Sequence, residues 1–312
     1  MKPAISVLIF TVSSGAGYGL LMWMLVFQML GQQAINLTEL LVVGLIGLCL
    51  VTLGLLASTL HLANPKNAWR AFSRFRTSWL SREGVFAVAF YPIFLGYVLV
   101  LFLNDGELTW LAMSIGVIGL LIAIATVICT GMIYASLKPI RQWHNPLTTP
   151  IYLLFSLMSG SLLLLLIKLA LQGELSIIVA QIFALCLMFS LIAKTAYFVL
   201  IGKPDGSTIN TATGFSQAQV RLLDAGHNAD TFLTKEFVFD AGAVRLLRLR
   251  RIMFVVVFAL PALFVGLAYY YGQHEISYLS MVAVFAGLLI ERWLFFAEAR
   301  HVVRLYHGDQ RT

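Results

Sequence analysis

The chain has 312 residues, 60% of them hydrophobic and only 11% charged, with a formal net charge of +7. Soluble domains carry about 25% charged residues, so this composition describes a polytopic membrane protein. A basic excess in such a chain follows from its orientation in the bilayer, and no nucleic-acid partner is expected.

Crossing a bilayer as a helix takes about 20 mainly apolar residues. Eight runs qualify: Ile5–Leu30, Leu37–Leu62, Gly84–Leu103, Leu108–Leu137, Ile151–Leu171, Leu175–Ile201, Ile252–Tyr271 and Ile276–Phe296. They are continuous rather than alternating, which rules out a strand barrel. The first run is too long for a signal peptide, lacks a cleavage site and is expected to remain as the first helix. The predicted fold is an all-α integral membrane protein of eight transmembrane helices arranged as two four-helix bundles. Helices one to four occupy about 5–137 and helices five to eight about 151–299, in one polytopic domain over 1–312.

The first helix contains "SSGAGYG", whose Gly15 and Gly19 make a small-residue face suited to close helix packing. A second small cluster, "SLMSGS", opens helix five. Cys49, Cys129 and Cys186 stand singly in apolar runs, without metal-ligand spacing, and read as packing residues.

Lys and Arg fall almost wholly on one side. Lys66, Arg70, Arg74, Arg76 and Arg82 follow helix two, Lys138 and Arg141 follow helix four, and a basic stretch from Lys203 to Arg251 follows helix six. The loops after helices one, three, five and seven contain none, so the positive-inside rule puts both termini in the cytoplasm. A bacterial inner membrane is the expected location.

Residues 63–82 carry the densest polar passage of the first half. Asn64 before Pro65 is a helix-start signal, and Ala68, Phe72, Phe75 and Trp79 recur at helical spacing, with the basic residues turned away. This predicts an amphipathic helix in the headgroup plane. On either side, His61 closes helix two and Glu83 opens helix three, where both could flank one cavity; an interface histidine and a local Arg82–Glu83 ion pair are the plainer alternatives. A quinone head would suit the pair, since an imidazole and a carboxyl near water can each donate a proton to its carbonyls.

Residues 202–250 are too polar to cross the bilayer and too short for a comfortable separate domain. Their mixture of aromatics, leucines and both charge signs predicts a docking loop, with a plain connector as the alternative. Lys168 near the outer end of helix five is explained by snorkelling. Lys194 in helix six is deeper, where a cation is a functional candidate, although snorkelling toward the inner end is the favoured reading. Glu291, Arg292, Glu298, Arg300 and His301 cluster near the inner end of helix eight, as either site lining or juxtamembrane charge.

The stretch "LHLANPKNAWRAFSRFRTSWLSRE" resembles the membrane anchor subunits of the dimethyl sulfoxide reductase family, DmsC-type. The likeness extends from the "KPAISV" start to the tail "ERWLFFAEARH". It implies a quinone- or quinol-binding anchor with no metal of its own. Molybdopterin would lie on a catalytic partner subunit, and iron–sulfur clusters on a partner of the four-cluster ferredoxin type. The family's quinone residues correspond to His61 and Glu83. Arg70, Arg76, Ser78, Trp79 and Arg82 also match the motif, as site lining or as loop architecture. His61 and His301 on one face would permit a bis-histidine haem b, which the resemblance argues against. Because the motif and docking loops are expected inside, the partners should be cytoplasmic. The long loop is similar to that of the sulfite-oxidising members, SoeC-type, and implies electron transfer from sulfite to quinone. A reductase-type anchor oxidising menaquinol, a transporter and a passive structural anchor are the other readings.

Overall fold

The computed structural model describes residues 1–31, 36–60, 64–202, 206–215, 217–224, 237, 239 and 241–312. Among them, regular structure is helical, apart from isolated bridges pairing Ile140 with His301 and Thr208 with Arg311. Eight helices are long and apolar enough to cross a membrane. They are α1 (Ile5–Leu30), α2 (Leu37–Thr59), α3 (Trp79–Leu103), α4 (Trp110–Ala135), α5 (Thr148–Gln172), α6 (Ile177–Ile201), α8 (Ala243–Tyr271) and α9 (Tyr278–Ala297). A five-residue α7 (Ile209–Thr213) lies between α6 and α8.

The most enclosed helices are α1 and α5, which pack against each other through the two small-residue clusters. A Cβ on Gly19 would lie 1.8 Å from the Ser156 carbonyl oxygen, and one on Gly160 would lie 2.1 Å from the Gly19 carbonyl carbon. Only glycine permits that approach, which brings main chain into contact with main chain and maximises dispersion contacts where lipid supplies no hydrophobic drive. Trp23 Nε1 bridges the same interface by donating to the Leu157 carbonyl at 2.9 Å. On its other side α1 meets α2, where the Ser13 hydroxyl donates to the Leu50 carbonyl at 2.8 Å. One apolar core therefore runs through both halves of the chain.

The Met1 nitrogen donates to the Ala299 carbonyl at 2.9 Å, and Thr312 N–H donates to the Ser207 carbonyl at 3.1 Å. Both chain ends thus lie at one end of the bundle, the terminal end, as an even number of crossings demands. The connection between α4 and α5 is locked to the last turn of α9 and the segment after it: Trp143 Nε1 donates to the Phe295 carbonyl at 2.9 Å, and Arg300 N–H donates to Gln142 Oε1 at 3.1 Å.

Three elements depart from the sequence reading. First, α3 starts at Trp79, not Gly84, because Ser78 caps it by accepting from Ser81 N–H at 3.4 Å. An apolar-run criterion misses such a polar first turn, and Glu83 consequently sits inside the helix rather than at its opening. Second, the expected amphipathic helix is a 3-10 helix over Pro65–Arg74, in which the Asn64 side chain makes no cap. Its main-chain carbonyl instead takes the Asn67 N–H at 3.1 Å. Trp69, Phe72 and Phe75 remain exposed, while Trp79 belongs to α3. Third, the helix predicted from Ile252 begins at Ala243, so the arginine-rich stretch before it is helical. A π turn at Val255–Ala259 precedes Pro261 in α8, and its wider winding accommodates a ring that lacks an N–H.

Candidate functional site

Four carboxylate side chains are buried among the described residues: Glu39, Glu83, Glu291 and Glu298. A buried carboxylate is costly unless a cation or hydrogen bonds compensate it, so their partners distinguish structural groups from chemical ones.

Glu39, in the first turn of α2, accepts from Lys168 Nζ of α5 at 3.4 Å and from Gln172 Nε2. Lys168 is therefore buried and paired, not snorkelled to the surface as its position suggested. Glu291 of α9 lies between two cations: Lys194 Nζ of α6 at 2.5 Å and Arg292 Nε at 2.5 Å. Both cations also rest on aromatic faces, Lys194 at 4.2 Å from the Tyr197 ring centre and Arg292 at 4.0 Å from that of Tyr152. The inward snorkelling expected of Lys194 is thus overturned, because a carboxylate 97 residues away gives it a partner in place of water. Glu291 and Arg292 lie fully inside the bundle, about two turns from the terminal end. Glu298 accepts from Arg250 Nε at 2.6 Å.

Glu83 differs from these three. It lies in the second turn of α3, only 4% exposed, and accepts a hydrogen bond from the Thr130 hydroxyl of α4. No cation pairs with it among the described residues. The Thr130 hydroxyl also lies 3.1 Å from the Thr126 carbonyl, which gives it two ways to direct its proton. It can donate to an ionised Glu83, or donate to Thr126 and accept from a protonated Glu83. The pair is satisfied in either state without rearrangement, as a group that takes up and releases a proton requires. Tyr18 of α1 and Tyr134 of α4 lie within electrostatic range of the carboxyl.

The turn before α3 is held by Arg82. Its Nε donates to the Phe75 carbonyl at 2.9 Å and its Nη2 to the Arg76 carbonyl at 2.7 Å, while the guanidinium sits 4.2 Å from the Trp79 ring centre. It makes no ion pair with Glu83. Ser78 supplies the cap described above. Arg70 and Arg76 are exposed, with Arg70 stacked on Trp69 at 5.6 Å. The Pro65–Arg74 segment covers the start of α3: Phe72 lies against Gly84, and Phe75 meets Phe86 edge-on at 5.7 Å. The structure therefore gathers Ser78, Trp79, Arg82 and Glu83 around one turn. His61 lies outside the described residues. His301 caps the 3-10 helix Val302–His307, its Nδ1 accepting from Val303 N–H at 3.0 Å.

Sequence reasoning overlooked Thr130 and Glu39. Glu39 was hidden in "NLTE", the pattern of a helix start, and it does stand where Asn36 caps α2. Thr130 carried no signal, since threonine is common in membrane helices.

Glu298 lies just beyond the membrane-spanning segment, and burial lifts its carboxyl above the ordinary range while Arg250 pulls it back. The folded chain then holds the proton more tightly than the unfolded chain. The stability this group contributes is fully present in acid, below the ordinary carboxylate range, and is lost as pH rises through the raised value. Glu298→Gln should flatten that part of the curve when thermal unfolding is followed across a pH series; an unchanged slope would contradict this account.

Eight long apolar helices, with buried ion pairs between them, define a multi-pass membrane protein. The chain matches the family described as DMSO reductase anchor subunit (DmsC) over residues 1–297, and it belongs to that family. It is also similar to a subunit of the sulfite dehydrogenase of Allochromatium vinosum, with 34% identity over 332 aligned positions covering 98% of this chain and 99% of that protein.

Proposed function

We propose that this chain is the quinone-reactive membrane anchor of a molybdopterin and iron–sulfur oxidoreductase, passing electrons from a partner iron–sulfur subunit to quinone during sulfite oxidation. The observation that carries this reading is Glu83: alone among the described buried carboxylates, it is partnered by a hydroxyl in place of a cation. Reducing a quinone to a quinol consumes two electrons and two protons. The partner supplies the electrons, Glu83 supplies one proton and His61 the other. Thr130 holds Glu83 in both protonation states, and the turn clamped by Arg82 fixes its place below the membrane surface. The exposed aromatics of the Pro65–Arg74 segment mark the route by which a lipid-borne ring reaches the carboxyl. Similarity to a sulfite dehydrogenase subunit favours sulfite as the electron source over a reductase that oxidises menaquinol.

Basic residues cluster at the terminal end, so this end faces the cytoplasm of an inner membrane, with the catalytic and iron–sulfur subunits docked there. The segment between α6 and α8 is part of the docking surface in this reading. A transporter reading draws less support, because Lys194 and Arg292 are both engaged by Glu291, which gives these buried charges a structural role.

The test is a separation of two activities in the purified complex. Glu83→Gln keeps the shape but cannot supply a proton, so quinone reduction should fall roughly a hundredfold while sulfite oxidation by a soluble dye is retained. If both activities fall together, or neither changes, the assignment fails.

A further inference from the structure

At the terminal end lies a cavity of about 300 Å³ that the proposed quinone chemistry does not use. Arg141, Arg250, Arg300, Arg304 and Arg311 line it, drawn from five different segments: the α4–α5 connection, the first turns of α8, the residue run after α9, the 3-10 helix and the C-terminal tail. Its lining also includes the apolar side chains of Ile201 of α6, Leu246 of α8 and Ala297 of α9, which belong to the end turns of spanning helices. The cavity therefore sits at headgroup depth.

Two of these arginines are answered by carboxylates. Glu298 answers Arg250 at 2.6 Å, and Asp309 answers Arg304. Among the described residues, Arg300 and Arg311 are left with no carboxylate side chain in ion-pair contact, so two guanidiniums at the space have charge to offer. Guanidiniums are also weakly hydrated and present paired N–H donors, which suits phosphate oxygens better than a diffuse cloud of counterions. One further group faces the opposite way chemically: Glu298 Oε2, buried at the cavity, has no hydrogen-bond partner among the described residues. It asks for a donor beside the anion.

From these features we infer that the cavity binds a phosphate-bearing headgroup, with the phosphate on the arginines and a neighbouring headgroup hydroxyl or ammonium donating to Glu298. Free phosphate shares the anionic half of this chemistry. A membrane phospholipid satisfies both halves, and basic pockets between helix ends at a membrane surface are suited to such lipids. The bound lipid would bridge α6, α8 and α9, each of which contributes to the lining, a role independent of whether Glu83 reacts with quinone.

The test uses the purified full-length protein in its complex. Native mass spectrometry after graded detergent washing should show one phospholipid retained per chain, and back-titration with phosphatidylglycerol should restore it after complete delipidation. The double variant R300A/R311A, which touches exposed side chains only, should retain the lipid roughly thirtyfold more weakly, the scale of two lost arginine contacts at the membrane surface. Should that variant fail to assemble, raised ionic strength applied to the unmodified complex is expected to release the same lipid. A parallel arm adds inorganic phosphate to delipidated protein: stabilisation by phosphate alone, equal to that by lipid, supports the anion site and assigns it to a soluble source. Retention that is indifferent to both the substitutions and salt overturns the inference. So does a variant that keeps its lipid but sheds its partner subunits, because the arginines would then be docking an acidic protein surface.

Discussion

Replacing Glu291 by alanine is expected to lower the stability of the folded protein by about 3–5 kcal/mol, the cost of leaving buried charge uncompensated. Lys194 and Arg292 are 1% and 3% exposed, and both direct their charge at this one carboxylate from 2.5 Å. Removing it leaves two cations facing each other with no water to solvate them, and their aromatic contacts offset only part of that. Lys194→Met is the informative comparison. It removes one cation and leaves the Glu291–Arg292 pair intact, so its cost should stay within about 1 kcal/mol. Thermal unfolding of both variants in detergent provides the measurement. Equal destabilisation of the two would show that the triad is not organised around Glu291.

Gly19→Ala should be comparably damaging through a different term. The added methyl would overlap the Ser156 carbonyl oxygen at 1.8 Å, and a main-chain atom cannot turn aside as a side chain can. The α1–α5 interface must then open along its length, forfeiting dispersion contacts on both faces and bending the Trp23–Leu157 hydrogen bond. Overpacking usually costs about 1–3 kcal/mol, and a backbone clash at the most enclosed interface belongs at or above the upper end. Gly96→Ala is the matched control: nothing lies within 4 Å of its added Cβ, and the glycine sits inside α3. Helix propensity alone then acts, making it neutral or stabilising by up to about 1 kcal/mol. Accumulation in the membrane fraction and the unfolding midpoint together separate the two cases. A Gly19→Ala protein that behaves like Gly96→Ala would mean the helices do not meet as described.

These two experiments probe the features that were least visible in the linear chain. The cluster "SSGAGYG" announced a face for close packing, and "SLMSGS" announced another, but nothing in either string said that they meet each other. Lys168 and Lys194 looked like cations reaching for the nearest surface, because their partners Glu39 and Glu291 stand 129 and 97 residues away. Glu83 was legible as a site candidate through the motif around it. Its placement one turn inside α3, and its hydrogen bond from Thr130, followed from a Ser78 cap and from the packing of α4 on α3.

The amino-acid order by itself determined the number of spanning helices and the asymmetry of basic charge, because bilayer thickness and the cost of burying charge act on each segment locally. It determined the family for the same reason, through a contiguous motif. Only the tertiary structure decided which buried charges pair with one another and which buried carboxyl is met by a hydroxyl in place of a cation. Those outcomes depend on contacts between helices far apart in sequence, and in a low-dielectric interior a few ångströms separate an ion pair from an orphaned charge.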